Sequence, residues 1–171
     1  SMRSTAIQDA KNLAASITEQ QAQTINRELE SALLAAQTLA YAFQSIKENE
    51  DISLSRSEAN AMLQSVAREN ESFLGVYTLW EPNAFDGKDA EFVNTEGHDA
   101  TGRFIPYWSR DEQGNIGLEA LAAYEVEGDG DYYQIPKKTQ KAALITPYTY
   151  NVQMTNILLT SIVVPIRPNN R

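Results

Sequence analysis

Phe73-Leu-Gly-Val-Tyr-Thr-Leu-Trp80 is the stretch at which the chain changes character. Its β-branched and aromatic residues suit a strand, and Glu81-Pro82-Asn83 ends it with turn residues. Upstream the period is helical. From about Thr5 to Lys47 there is no Gly and no Pro, and helix formers dominate. Apolar residues recur at spacings of three and four: Ile7, Ala10, Ala14, Ile17, then Ile25, Leu29, Ala32, Leu33, Ala36, Leu39, Ala40, Phe43 and Ile46. Gln21 and Thr24 interrupt this stripe. At about 1.5 Å per residue the helix spans about 60 Å, roughly twice the width of a small domain. Either its N-terminal half pairs with its copy in a dimer, or it lies against material outside this sequence. Residues 5 to 28 are weakly apolar, and fraying is expected there. Ser55 or Ser57 caps a second helix that runs through about Glu69, with Ala59, Leu63, Val66 and Ala67 inward.

Downstream the elements are short. Asn83 to Gly102 reads as loop, with Ala90 to Asn94 as a short extended piece. Arg103 to Arg110 reads as a strand followed by a turn at Asp111 to Asn115. Gly117 to Tyr124 is either a short helix or an extended edge, and Gly128-Asp-Gly130 is a break. Asp131 to Thr139 is a short helix or turn, and Ala142 to Tyr150 and Asn156 to Ile166 are strands. Two helices followed by several strands make an α+β domain with a mostly antiparallel sheet.

The balance of 14 Lys and Arg against 23 Asp and Glu, net −9 in 171 residues, disfavours phosphate backbones and anionic lipid surfaces. No Cys is present, and the one His, His98, excludes a multi-histidine metal site within one chain. No apolar run is long enough to cross a bilayer. Ser1-Met2 reads as a cloning remnant, so targeting and membrane segments are expected outside this sequence.

Catalytic templates fail: there is no Gly-x-Ser-x-Gly elbow, Walker loop or Gly-x-Gly-x-x-Gly. His98-Asp99 is read as loop residues bonded to backbone rather than as a base with its orienting carboxylate. Glu127 to Asp131 and Asp86 to Asp89 both miss the bidentate Glu that would close a calcium loop, and are read as turn chemistry. The aromatics say more. Tyr77, Trp80, Tyr107, Trp108, Tyr132, Tyr133, Tyr148 and Tyr150 all lie on or beside predicted strands. Tyr148 and Tyr150 share a face, whereas Tyr107 and Trp108 point opposite ways. Such rings either complete a core or line a small-molecule pocket that surrounds a cationic amine.

Leu74 to Asp89, His98-Asp-Ala-Thr-Gly-Arg-Phe-Ile-Pro-Tyr-Trp108, Asp131-Tyr-Tyr133, Thr146-Pro-Tyr148 and Ser161 to Ile166, behind a long helix, together resemble the double-Cache sensor domain of bacterial methyl-accepting chemotaxis receptors. The resemblance implies a PAS-like module. Residues 3–47 would form the supporting helix and residues 48–171 the membrane-distal Cache module. The membrane-proximal module and a final strand of the distal sheet would lie outside this sequence. In amino-acid-binding members that strand carries an Asp that contacts the ligand amine. Those members also carry Arg-x-Trp-Tyr and then Tyr-x-Asp. Here Gly130 stands where that Arg would be, Tyr132 and Tyr133 replace Trp-Tyr, and Tyr150 replaces the Asp.

The resemblance therefore implies a periplasmic, non-catalytic sensor of an inner-membrane receptor that signals through the N-terminal helix. No cofactor, metal or nucleic acid is expected, and the membrane is reached only through segments outside this sequence. The ligand is expected to be an amine, polyamine, betaine or amino-acid-like solute. Tyr77, Tyr107, Trp108, Tyr132, Tyr133, Tyr148 and Tyr150 are expected to line the site, with Asp131 and Arg103 as polar anchors. Pairing of two copies through the long helix is a further expectation. Two alternatives remain: a sensor reporting to a histidine kinase or cyclic-dinucleotide enzyme, and a helical adaptor whose sheet only stabilises a dimer strut.

Overall fold

The computed structural model describes residues 2–170. Helix α1, Met2–Glu48, runs unbroken for 47 residues, about 70 Å at the usual rise. Only its second half is covered: Ala40 and Phe43 are buried, whereas Ile7 and Ile25 are about half exposed. The side chains of Ala10, Ala14 and Ile17 lie outside the described residues. The weakness expected of residues 5 to 28 thus takes the form of exposure rather than lost helical geometry.

Helix α2, Arg56–Glu69, starts at the predicted cap. Glu58 N donates to Ser55 Oγ, and Ser55 N donates to Glu58 Oε2, closing a capping box. Strand β1, Gly75–Tyr77, is followed by α3, Asp89–Phe92. Residues 90–92 are therefore helical where an extended piece was expected. The cause is long-range: the Asp89 carboxylate is held by Arg56 and by Asn83 N, which forces the chain to turn. Strands β2, Pro106–Arg110, and β3, Ile116–Ala120, then α4, Asp131–Thr139, β4, Ala143–Val152, and β5, Thr155–Val163, complete the order, with a 3₁₀ turn at Pro168–Asn170.

The strands form two antiparallel sheets rather than one: β1-β2-β3, and the hairpin β4-β5. Val76 faces Trp108 and Tyr77 faces Tyr107 in the first register. Alternation along β1 and β2 then sorts side chains into two cores. On the helix side, Val76, Trp80 and Phe104 meet Phe43 of α1 and Ala59, Leu63 and Ala67 of α2. On the other side, Ile105 and Tyr107 meet Tyr132 and Tyr133 of α4 and Ile145 and Val152 of β4.

Loop 83–102 is pinned by Arg56, 4 % exposed. Its guanidinium donates to both Asp86 oxygens, to Asp89 Oδ1 and to Gly102 O, and lies 4.1 Å from the centre of the Phe92 ring. Gly102 has φ +67°, and a Cβ there would fall 1.9 Å from Asp89 O, so only glycine fits.

Candidate functional site

A cleft of about 680 Å³ runs between the two sheets. Its walls are residues 72–81 of the β1 segment and 158–166 of the β5 segment, and the buried face of α1 from Leu29 to Phe43 forms its floor. One side is tyrosine. Tyr77, Tyr107, Tyr132 and Tyr133 line the cleft, with Tyr148 and Tyr150 packed behind them. Tyr132 is the hub: its ring meets Tyr77 edge-on at 5.6 Å, stacks on Tyr148 at 6.2 Å and meets Tyr150 edge-on at 5.8 Å.

These rings meet because of where their elements put them. The first turn of α4 presents Tyr132 and Tyr133 to the sheet, alternation puts Tyr77 and Tyr107 on one face, and β4 closes over them.

The hydroxyls are mostly committed. Tyr132 OH donates to Ala122 O at 2.6 Å, and Ala122 N donates to Tyr150 OH at 2.8 Å. Tyr148 OH and Ser161 Oγ share a bond of 2.7 Å. The Tyr77 hydroxyl is buried and makes no hydrogen bond of good geometry, with the Ser161 side chain its nearest polar neighbour. Burial pushes the Tyr77, Tyr107 and Tyr132 hydroxyls well above the usual phenol range, with help from neighbouring tyrosines. The pocket therefore offers neutral rings and hydroxyls, not phenolates.

Arg103 is 4 % exposed and already occupied. It donates to Trp80 O, Glu125 Oε1 and Tyr133 OH, and its guanidinium sits 4.8 Å from the centre of the Tyr124 ring. It positions Tyr133 from behind instead of reaching the cleft.

Two more expected residues are not brought to the cleft. Trp108 lies on the helix side of β2, where Nε1 donates to Asn60 Oδ1 at 3.0 Å; the period of two puts it opposite Tyr107. Asp131 starts α4 and accepts from Gly128 N, so its carboxylate serves the preceding turn.

Four charged residues outside the expected set line the cleft: Glu28 and Lys47 of α1, Glu81 and Lys137. Glu81 accepts from Tyr133 OH and pairs with Lys137 Nζ at 3.0 Å. Burial alone would raise the Glu81 pKa, but bonds from Tyr133 and Lys137 hold it below the usual range. The only local signal was that Glu81 ends the quoted strand; its partners are more than 50 residues away.

Gly130 has no room for a side chain here. A Cβ would lie 2.5 Å from Ala123 O and 2.6 Å from Tyr124 O. His98 and Asp99 do not pair: His98 Nδ1 meets Thr95 Oγ1 and Glu96 O, while Asp99 serves Thr101 and Tyr124. Among the described residues, no group of three His, Asp or Glu is placed to hold a metal, and no helix is long and apolar enough to cross a membrane.

Comparison with known proteins matches this geometry to a family. The model of the methyl-accepting chemotaxis protein-like first PDC sensor domain matches residues 59–171. The methyl-accepting chemotaxis protein TlpQ of Pseudomonas aeruginosa is 29 % identical over 122 residues, which are 65 % of this chain and 17 % of TlpQ. Among solved structures, the extracellular domain of mmHK1S-Z3, described as a histidine kinase, is 36 % identical with a TM-score of 0.74, over 86 % of this chain and 49 % of that one. Methyl-accepting chemotaxis protein X is 26 % identical with a TM-score of 0.65, over 95 % of this chain and 60 % of that one. The chain thus spans about half the length of the solved relatives and a smaller part of the curated one. It belongs to the methyl-accepting chemotaxis protein-like family of first PDC sensor domains.

Proposed function

We propose that this chain is the solute-binding part of an extracytoplasmic, non-catalytic sensor in a transmembrane chemotaxis receptor. Its ligand is an amine, polyamine, betaine or amino-acid-like solute held against the tyrosine side of the cleft. The observation that carries this reading is a cleft of about 680 Å³ bordered by the neutral rings of Tyr77, Tyr107, Tyr132 and Tyr133. Ring quadrupoles attract a cationic head. Glu81 supplies an anion at the rim for an ammonium, and Lys137 a cation for a carboxylate. The closed space at Gly130 argues against a carboxylate clamp from that position. The charge pair at the rim takes over both anchoring roles first given to Asp131 and Arg103.

The cleft floor is α1, so a solute that favours one position of that helix shifts the position of its exposed N-terminal half. A thermal-shift screen with amines, betaines and amino acids tests the reading. A ligand at a hundredfold its Kd adds about 2.7 kcal/mol and raises the melting point by several degrees. No shift with any class, together with dimerisation through α1, points to the adaptor instead. Output through a histidine kinase is the second reading, supported by the likeness to the mmHK1S extracellular domains.

A further inference from the structure

The hairpin β4-β5 lies over the tyrosines without sharing a strand ladder with β1-β2-β3. Its own ladder breaks once. Ile145 faces Ser161 and Tyr148 faces Leu159, so Thr146 and Pro147 stand against Thr160 alone. A bulge of this kind bends the ribbon, and Pro147 has no N–H with which to restore the ladder. The break divides the hairpin into a base, residues 143–145 with 161–163, and an outer half, residues 148–159.

The inner face of the outer half is the back of the tyrosine wall. Tyr148 stacks on Tyr132, and Tyr150 meets both Tyr132 and Tyr107 edge-on at 5.8 Å. Two rings that line the cleft, Tyr132 and Tyr107, are thus steadied from this half.

The tip of the hairpin is bonded to the first sheet through Gln153. Its backbone N donates to Glu119 Oε2 at 3.1 Å, and its Nε2 donates to Ser109 O at 2.9 Å and meets Ser109 Oγ at 3.2 Å. Ser109 is fully buried and stands in register with Gly117 of β3. A Cβ on Gly117 would come within 3.3 Å of the Gln153 amide, so glycine there opens the seat that the amide fills.

The turn that presents Gln153 works against this seating. Val152 pairs with Thr155, which leaves Gln153 and Met154 as a two-residue turn with φ +46° and +68°. Such turns favour Asn-Gly, because both positions are left-handed and other side chains are strained there. Met154 is 93 % exposed, so little packing offsets its strain. Strain of this sort persists where surrounding contacts impose it, and the Gln153 bonds are such contacts.

We propose that residues 148–159 form a hinged cover on the tyrosine wall, which bends at the Thr146-Pro147 bulge and is held shut by Gln153, with the strained turn favouring release. Shut, the cover fixes Tyr132 and Tyr107 for the solute; open, it frees them, so apparent affinity scales with the fraction shut. A solute that binds only the shut form holds the cover down. This deepens the reading of the cleft as a solute site and rests on it for its purpose, but its test needs no solute.

The amide of Ala122 reports the cover, because Ala122 N donates to Tyr150 OH across the gap and loses that bond when the cover lifts. Residue-resolved amide exchange by NMR, without solute, compares the protein with its Gln153→Asn variant. Asparagine suits the turn better, but its side chain is one methylene too short to reach Ser109. The expected result is exchange about tenfold faster at Ala122, with the β4-β5 ladder amides unchanged. Unchanged or slower exchange at Ala122 overturns the latch. Ladder amides that speed up to the same degree overturn the hinge, since the hairpin then unpairs instead of lifting. Met154→Gly relaxes the turn with the latch intact and should slow exchange at Ala122; unchanged or faster exchange there overturns the role given to the strain. The thermal-shift screen can fail while these results stand, and these can fail while the screen succeeds.

Discussion

On one face of the β1–β2 pair, Phe43, Trp80, Phe85 and Phe104 pack ring to ring at 4.2 to 6.3 Å. On the other face the rings are phenols, and Tyr132, Tyr148 and Tyr150 each tie their hydroxyl to a named partner. The first face gains stability from apolar area and shape, whereas the second also needs its polar tips satisfied. Along β1 both faces leave that rule unmet, and they do so where the cleft opens.

The contrast can be broken from its apolar side first. Phe104→Ala removes a ring that is 1 % exposed and lies away from the cleft, and should cost about 3–5 kcal/mol in denaturant unfolding with solute affinity unchanged. Loss of binding in folded protein would mean that the two faces are not separable. Asp89→Ala leaves Arg56 partly uncompensated in a buried site and should cost about 3 kcal/mol or more, with fast proteolysis of loop 83–102 as a second readout.

On the phenol side the contrast sharpens. Tyr132→Phe strands Ala122 O and should cost about 1 kcal/mol. Tyr77→Phe removes a hydroxyl that makes no hydrogen bond of good geometry, so stability should stay level or rise slightly while solute affinity falls. Equal losses of stability in the two variants would show that Tyr77 is bonded after all.

Acid provides the gentlest test. Asp86 has its folded pKa below the usual carboxylate value because the Arg56 bond and charge outweigh burial. Its stabilising contribution is present above about pH 4 and is lost as pH falls through the folded value. His98 is also depressed, chiefly by burial, so its contribution is present above about pH 6.5 and declines below it. His98→Gln should flatten the melting-point profile just below about pH 6.5, and Asp86→Asn the profile below about pH 4.

Much of this was legible locally. The absence of Gly and Pro from residues 5 to 47 marked α1, and Ser55 with Glu58 marked the start of α2, because helix propensity and capping act within one turn. Runs of β-branched and aromatic residues marked β1, β2, β4 and β5. Alternation alone already separated Trp108 from Tyr107, and the structure follows the alternation rather than the grouping of all aromatics into one site. The turn at Asp89 was not legible, since its cause is a guanidinium 33 residues earlier. The Glu81–Lys137 pair was hidden for the same reason, its partners standing 56 positions apart.

What the residue order determined by itself is the longer elements and the face their side chains take, because periods of 3.6 and 2 are properties of the backbone. Only the tertiary structure decided that the strands split into two sheets, that Arg103 is spent inside, and that the tyrosines border an open cleft. Those outcomes depend on contacts between distant segments, whose geometry no local pattern encodes.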